Sequence, residues 1–291
     1  MQLPAALEAH RQRIEHGLRE ALARVEAPAR LREAMGYSLL AGGKRVRPIL
    51  VLATAELFPG GGAGLMPAAC ALEFVHTYSL IHDDLPAMDD DDLRRGLPTC
   101  HKRYGEALAI LAGDALLTEA FGLLGRAAGE PARALRAALE LSQAAGAGGM
   151  VGGQVLDTLE TGRALAQPEV ERIHRLKTGA LLTAAVRVGA LLAGADEAAL
   201  PRLTRYAQRL GLAFQVADDL LDVVGEAHSL GKSAGKDRAM GKTTYADLLG
   251  LESGWEYAGR LAAEAVEELA PFGARAEALR TMAAFIVRRD C

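Results

Sequence analysis

An all-α fold is predicted by three observations. Half of the 291 residues are apolar and aromatics are few, while alanine and leucine, which lose little entropy in a helix, are abundant. Apolar residues recur three and four positions apart along much of the chain. Period-two alternation of β-branched residues is nearly absent.

The elements follow in order. Leu18, Leu22 and Val25 share one helical face. Ala41-Gly42-Gly43 and Pro59 to Gly62 break the pattern. Leu72, Val75 and Ser79 mark a helix that runs into Asp83 and Asp84. Pro86 should end it there, because a proline disturbs the helix before it, so the two aspartates fall in the last turn. Leu135 and Leu139 mark another apolar stretch after the break at Gly129 to Pro131. Gly146 to Gly153 and Gly225 to Gly241 are further breaks, and Leu212 to Ala217 leads into Asp218, Asp219 and Asp222. There is no repeat and no low-complexity tail. The reading is a single domain over residues 1–291, with roughly ten or more helices around a deep central cavity.

Composition narrows the function classes. A formal charge of −4 does not favour nucleic acid. Cys70, Cys100 and Cys291 form an odd set without metal-ligand spacing, which fits a reduced cytoplasmic protein. No basic-then-apolar leader opens the chain. The longest apolar stretch, Leu181 to Ala195, is interrupted by Arg187 and is too short for a membrane span.

The chemistry lies in two aspartate clusters. One is Asp83-Asp84-Leu-Pro-Ala-Met-Asp89-Asp90-Asp91-Asp92, and the other is Asp218-Asp219-Leu-Leu-Asp222. Each adjoins apolar sequence, where carboxylates are costly to desolvate unless something compensates them. Asp218 and Asp222 share a helix face, on which like charges repel. Mg²⁺ takes one or two carboxylates plus phosphate oxygens and water, and such clusters supply those carboxylates. Which of Asp89 to Asp92 faces a metal stays open at this point. Cations complement the clusters: Lys44, Arg45 and Arg47 after a glycine turn, Arg94 and Arg95 after the first cluster, Lys177, and Lys232, Lys236 and Lys242 after the second. Arginine forks and lysine point charges are phosphate ligands. Two separate cation sets suggest two phosphate-bearing ligands, one held through metal and one directly.

Six segments together resemble the trans-isoprenyl diphosphate synthases, bacterial farnesyl diphosphate synthases in particular. They are Gly42-Gly-Lys-Arg-Val-Arg-Pro48, His82 to Gly96, Gly152-Gly-Gln-Val-Leu-Asp157, Lys177-Thr178, Phe214 to Asp222, and Gly231-Lys232 through Lys242. The resemblance implies an all-α isoprenoid synthase bundle, a homodimer, and three Mg²⁺ ions per active site. It implies Asp83, Asp84, Asp89, Asp218, Asp219 and Asp222 at the metal. Arg94, Lys177, Lys232 and Lys242 would contact the allylic diphosphate. Lys44, Arg47, His76 and Arg95 would hold isopentenyl diphosphate. Thr178 and Gln215 would sit at the reacting carbons, with Lys177 completing the catalytic set. Gln154 and Asp157 look like cavity-wall or metal-network residues. His82 competes with His76 as a base, against the simpler role of a helix-end hydrogen-bonding residue.

Product length should turn on Tyr78 and Ser79. At about 1.5 Å per residue they lie roughly 6–8 Å before Asp83, one to two isoprene units down the helix. By resemblance, Tyr78 together with the Pro86-Ala87 insertion favours a fifteen-carbon product. The rival readings are a geranylgeranyl or geranyl diphosphate synthase, a terpene cyclase, a non-catalytic partner subunit of a synthase, and a plain divalent-metal-binding helical protein. A cyclase has no need for the Lys44, Arg47 and Arg95 set, a non-catalytic subunit typically loses an aspartate cluster, and simple metal binding leaves the cations unexplained.

Overall fold

The computed structural model describes residues 3–59, 61–62, 64–127, 130–227 and 241–287. It is all-α as expected, with more than ten α-helices among these residues. The chain divides into two compact units, Glu8–Leu139 with Val188–Gly194, and Glu140–Arg187 with Met1–Leu7 and Ala195–Cys291.

The first of these units contains most of α1 (Ala5–Ala23), then α2 (Ala29–Leu39), α3 (Val46–Ala55), α4 (Met66–Asp83), α5 (Cys100–Tyr104), α6 (Glu106–Gly125) and the start of α7 (Pro131–Ala145). α3 is buried on all sides; Ile49, Leu50, Val51 and Leu52 are all fully covered. α4 packs most extensively on α6. Glycine permits the close approach: a Cβ on Gly113 would come within 2.2 Å of His82 Nε2. His82 Nε2 instead lies 3.0 Å from the Ile110 carbonyl, a hydrogen bond that requires the Nε2–H tautomer. That is the helix-end role weighed for His82. α4 has Pro67 in its first turn, where a missing N–H costs nothing, and it ends at Asp83 as Pro86 requires.

The root of α3 is a buried ion cluster. Arg45 takes a left-handed φ of +53° at the helix start. Its guanidinium is wholly buried, with Nε donating to Glu15 at 2.7 Å and Nη1 to Glu73 at 2.6 Å. Nη2 donates to the Leu39 carbonyl at 2.8 Å. The cluster fixes where the basic loop enters the helix.

One local element was not expected. Leu93–Arg94 (β1) and Leu97–Pro98 (β2) pair antiparallel, with Arg94 opposite Leu97. The turn residues Arg95 and Gly96 have φ of +55° and +77°, the left-handed pair that a two-residue hairpin needs. Strands this short carry no visible period, so the hairpin leaves the fold class unchanged.

The other unit holds the end of α7, then α8 (Met150–Leu159), α9 (Gln167–His174), a π-helical turn (Arg175–Gly179), most of α10 (Ala180–Leu192), α11 (Ala199–Ala227), α12 (Tyr245–Leu249), α13 (Leu251–Glu268), a 3₁₀ segment (Ala270–Ala276) and α14 (Glu277–Val287). α11 packs chiefly on α13, where Gly254 makes room for Leu220. Tyr206 is fully buried and donates to the Leu279 carbonyl at 2.9 Å.

The reading of Leu181 to Ala195 as the longest apolar stretch needs correction. α6 has 20 residues and is long and apolar enough to cross a membrane by length and composition. Leu181 to Ala195 is therefore not the segment that decides the matter. α6 carries Asp114 and Glu119 along its length, and its Ala109, Ala112, Leu116 and Ala120 are buried within its unit.

Removing one partner of a buried ion pair leaves an uncompensated charge. Arg45→Met should therefore destabilise the protein by about 3–5 kcal/mol, measured by urea unfolding followed by far-UV circular dichroism. The double replacement Arg45→Met with Glu73→Leu should recover most of that loss, because no buried carboxylate is then stranded.

Candidate active site

The first aspartate cluster is shaped by the end of α4. Asp84 caps the helix, and the chain then loops around Pro86 and Ala87 and returns. Asp89 N donates to the Asp83 carbonyl at 2.9 Å, and Asp91 N to the Asp84 carbonyl at 3.2 Å. The two-residue insertion thus folds Asp89 back beside Asp83. Asp90 closes the loop at a φ of +48°.

The open question about Asp89 to Asp92 narrows. Asp92 is exposed and pairs with Lys102 at 2.7 Å, which lowers its pKa. Asp91 lies 3.5 Å from Arg94. Asp83 and Asp89 are both half-buried. Asp84 was expected at the metal with them, but the structure turns it inward. It is 3% exposed, and Arg94 reaches its Oδ1 with Nε and Nη2, each at 2.6 Å. Burial raises the Asp84 pKa even against Arg94. The same contact anchors Arg94, expected as a diphosphate ligand, to the cluster.

The basic loop lies in the same unit. Gly42 and Gly43 have φ of +87° and +126°, conformations that L side chains rarely adopt. A Cβ on Gly43 would meet Arg95 Nη2 at 2.8 Å, and Arg95 donates to the Gly42 carbonyl. The hairpin turn and the glycine turn therefore interlock. Arg47 Nε is buried with no hydrogen-bond partner among the described residues. Its guanidinium pKa is pushed down to about 10, first by burial, with Arg95 adding to the effect and Glu73 opposing it. It stays cationic near neutrality. His76 is held well below the usual histidine range by burial first, then by Arg47 and Arg95. The neutral imidazole thus lies in the field of Arg47 and Arg95, and Arg47 keeps a buried donor without a partner among the described residues. Lys44 is exposed on the loop.

The remaining candidates gather in the second unit. Gly153 on α8 lets the π-helical turn approach: a Cβ there would stand 2.2 Å from Lys177 N and 2.6 Å from its Cα. π-helical turns are rare and often mark functional sites; this one carries Lys177 and the half-buried Thr178. One helical turn beyond Gly153, Asp157 accepts from Lys177 Nζ at 2.7 Å and from Lys242 Nζ at 2.9 Å. On α11, Asp218 is exposed and Asp222 half-buried, whereas Asp219 is 4% exposed. Asp219 Oδ2 accepts from Tyr245 N at 2.9 Å, and Gln215 Nε2 lies 3.4 Å from Oδ1. Asp219, expected as a metal ligand, thus holds the start of α12. His174 Nε2 is 3.7 Å from Asp219, but burial pushes its pKa to about 4, so the contact is not an ion pair near neutral pH. Lys232 and Lys236 lie outside the described residues.

The two residues expected to set product length lie on α4. Tyr78 is 6% exposed and sits edge-on to His82 with 5.7 Å between ring centroids. Ser79 Oγ donates to the His76 carbonyl at 2.9 Å. Sequence reasoning named Arg45 as a phosphate-type cation and Asp157 as a cavity-wall or metal-network residue, but missed the buried anchoring of Arg45, the close approach at Gly153 and the double contact of Asp157. The four-residue spacing of Gly153 and Asp157 was the available signal for the last two.

The polyprenyl synthetase family model matches residues 28–269. The chain belongs to the polyprenyl synthetase family. It is a prenyltransferase acting on isoprenyl diphosphates. It is 51% identical to the farnesyl diphosphate synthase of Escherichia coli K12 over 265 residues, 89% of each chain. It is also 51% identical to a chloroplastic geranylgeranyl pyrophosphate synthase of Capsicum annuum over 270 residues, 91% of this chain and 73% of that one. Among solved structures it is similar to an FPP/GFPP synthase of Zymomonas mobilis, with a TM-score of 0.86, 40% identity and 97% of each chain covered.

Two outcomes follow from this geometry. Gly153→Ala should destabilise the protein by about 1–3 kcal/mol, the usual cost of forcing atoms into a packed site, read by thermal unfolding. The second concerns pH. His76 is neutral in the folded state well below the pH at which it charges in the unfolded chain. Stability should therefore be full above about pH 6.5 and fall as the pH drops below it, because only the unfolded state takes up that proton. His76→Gln, uncharged throughout, should flatten that part of a urea-unfolding pH series.

Proposed function

We propose that this prenyltransferase condenses isopentenyl diphosphate with dimethylallyl and geranyl diphosphate to give farnesyl diphosphate. The observation that carries the reading is the presence of two differently built cation sets. One is Arg47 and Arg95 beside the neutral His76, with Lys44 exposed on the same basic loop, suited to direct capture of an anion. The other is Lys177 and Lys242 on Asp157, in the unit that also carries Asp218 and Asp222.

The carboxylates fit Mg²⁺. Asp83 and Asp89, and Asp218 and Asp222, offer hard oxygen donors. No group of three or more such ligands closes a protein cage among the described residues, and Mg²⁺, which keeps waters and takes phosphate oxygens, does not need one. When bound, Mg²⁺ neutralises charge on the departing diphosphate.

The chain's own residues do the rest. Arg94, Lys177 and Lys242, with Lys232, hold the allylic diphosphate while its C–O bond breaks heterolytically. The electron pair leaves with the diphosphate, where fixed cations stabilise it. The Thr178 and Gln215 oxygens stabilise the allylic cation as dipoles without capturing it. Lys44, Arg47, His76 and Arg95 hold isopentenyl diphosphate so that its double bond attacks the cation. One C–C bond forms, and the adjacent proton passes to the released diphosphate. Buried apolar walls keep water from quenching the cation.

Tyr78 supports the fifteen-carbon product, since a buried aromatic ring on α4 before Asp83 suits the floor of a tail pocket. The geranylgeranyl reading is the alternative, because relatives with that name are as similar. The resemblance also implies a homodimer. Ile110, Leu111 and Phe121, exposed on α6, suit its interface.

Incubation with Mg²⁺, isopentenyl diphosphate and dimethylallyl or geranyl diphosphate should yield farnesyl diphosphate by chromatography. No product from either primer would sink the proposal. Tyr78→Ala should shift the product to twenty carbons or more, and an unchanged profile would remove Tyr78 from the floor.

A further inference from the structure

Arg45 is a cation that the chemistry above does not use. It caps the start of α3, two residues before Arg47, and its side chain is wholly buried. Nε donates to Glu15 at 2.7 Å, Nη1 to Glu73 at 2.6 Å and Nη2 to the Leu39 carbonyl at 2.8 Å. Three helices converge on it, since Glu15 lies on α1, Leu39 ends α2 and Glu73 lies on α4. A buried ion cluster need not stabilise a protein more than apolar residues of similar volume do, so stability by itself is a weak reason for this one.

The carboxylates that Arg45 holds are the ones felt by Arg47 and Arg95. Glu73 stands three residues before His76 on α4, on the same side of that helix. Its charge reaches both Arg47 and Arg95, and the charge of Glu15 reaches Arg95. Yet among the described residues neither Arg47 nor Arg95 has a carboxylate at ion-pair distance, because Glu15 and Glu73 both pair with Arg45. A carboxylate that claimed Arg47 or Arg95 would cancel the charge that a diphosphate needs. A buried arginine donor without a partner, as at Arg47 Nε, is what such a carboxylate would relieve. The planar fork of Arg45 holds one carboxylate on Nε and the other on Nη1, and the Leu39 carbonyl on Nη2 fixes its orientation. Glu15 and Glu73 therefore act on their cationic neighbours through their field and not by direct pairing.

We propose that Arg45 is a positioning residue: as counter-ion it sequesters Glu15 and Glu73, so that neither carboxylate competes with isopentenyl diphosphate for Arg47 and Arg95. The inference rests on the prenyl-transfer reading of Arg47 and Arg95, and it names the residue that holds their competitors away.

The test uses two variants that break the same ion pair from opposite sides. Binding of isopentenyl diphosphate is measured by calorimetry in chelator, without Mg²⁺, so that direct contact is read and no turnover is needed. Arg45→Met should weaken binding by about 10-fold or more, the scale of a charge-assisted hydrogen bond to a competing carboxylate. Glu73→Gln, with Arg45 in place, should tighten it by about twofold or more, because a source of opposing field is gone. Adding Glu15→Gln and Glu73→Gln to Arg45→Met should return binding to within about threefold of wild type, since the competitors are then neutral. In turnover, Arg45→Met should raise KM for isopentenyl diphosphate and leave KM for geranyl diphosphate within about twofold.

A purely structural ion pair would make both single variants bind more weakly. Unchanged or weaker binding by Glu73→Gln therefore overturns the proposal, and so does unchanged binding by a folded Arg45→Met protein or a triple variant that fails to recover. If circular dichroism shows Arg45→Met unfolded, the sign of the Glu73→Gln change decides alone. A wild-type protein that binds isopentenyl diphosphate in chelator but makes no product with Mg²⁺ would sink the function, while the binding comparison would still decide the role of Arg45. A wild-type protein that makes product but binds none in chelator would leave the function standing and overturn the role of Arg45.

Discussion

A charge drawn out of water must be met by an opposite charge or by donors, and the working parts of this molecule are arranged around that constraint. Arg45 is met by Glu15 and Glu73, Asp84 by Arg94, Asp157 by two lysines, and Asp219 by a backbone N–H. Each pairing ties a loop or a helix end to a packed helix. The basic loop hangs from Arg45, the hairpin from Asp84, the Lys242 segment from Asp157, and α12 from Asp219. Arg47 Nε, in contrast, is a buried donor with no partner among the described residues.

Close backbone approach is the second device. Gly113 admits His82, Gly153 admits the backbone of Lys177, and Gly43 admits the Arg95 guanidinium. None of these contacts leaves space for a Cβ. Charge pairing and glycine packing together explain how short loops can hold several arginines and lysines in defined places, although like charges would otherwise spread apart.

Relatives named for two different products are equally similar to this member of the family. Ionising an allylic diphosphate needs carboxylates, cations and a dry cavity. Tyr78 belongs to α4 and to the same packing that seats His82.

The sequence by itself determined the all-α class, the end of α4 at Asp83, the family, and the residue types of the site. These rest on local rules: helical spacing, proline's exclusion from helix interiors, and motif order. Asp83, Asp89 and Lys177 were singled out by residue type and spacing, as candidates whose roles remain proposals. Only the tertiary structure decided which aspartates turn inward. Asp84 and Asp219 read like their neighbours Asp83 and Asp218, yet each is buried against a partner far along the chain or on another element. It also decided that Asp157 serves two lysines and that Arg95 sits on a two-residue hairpin turn. The physical reason is the same in each case. A carboxylate's role depends on what has displaced its water, and that partner can lie as many as 85 residues away.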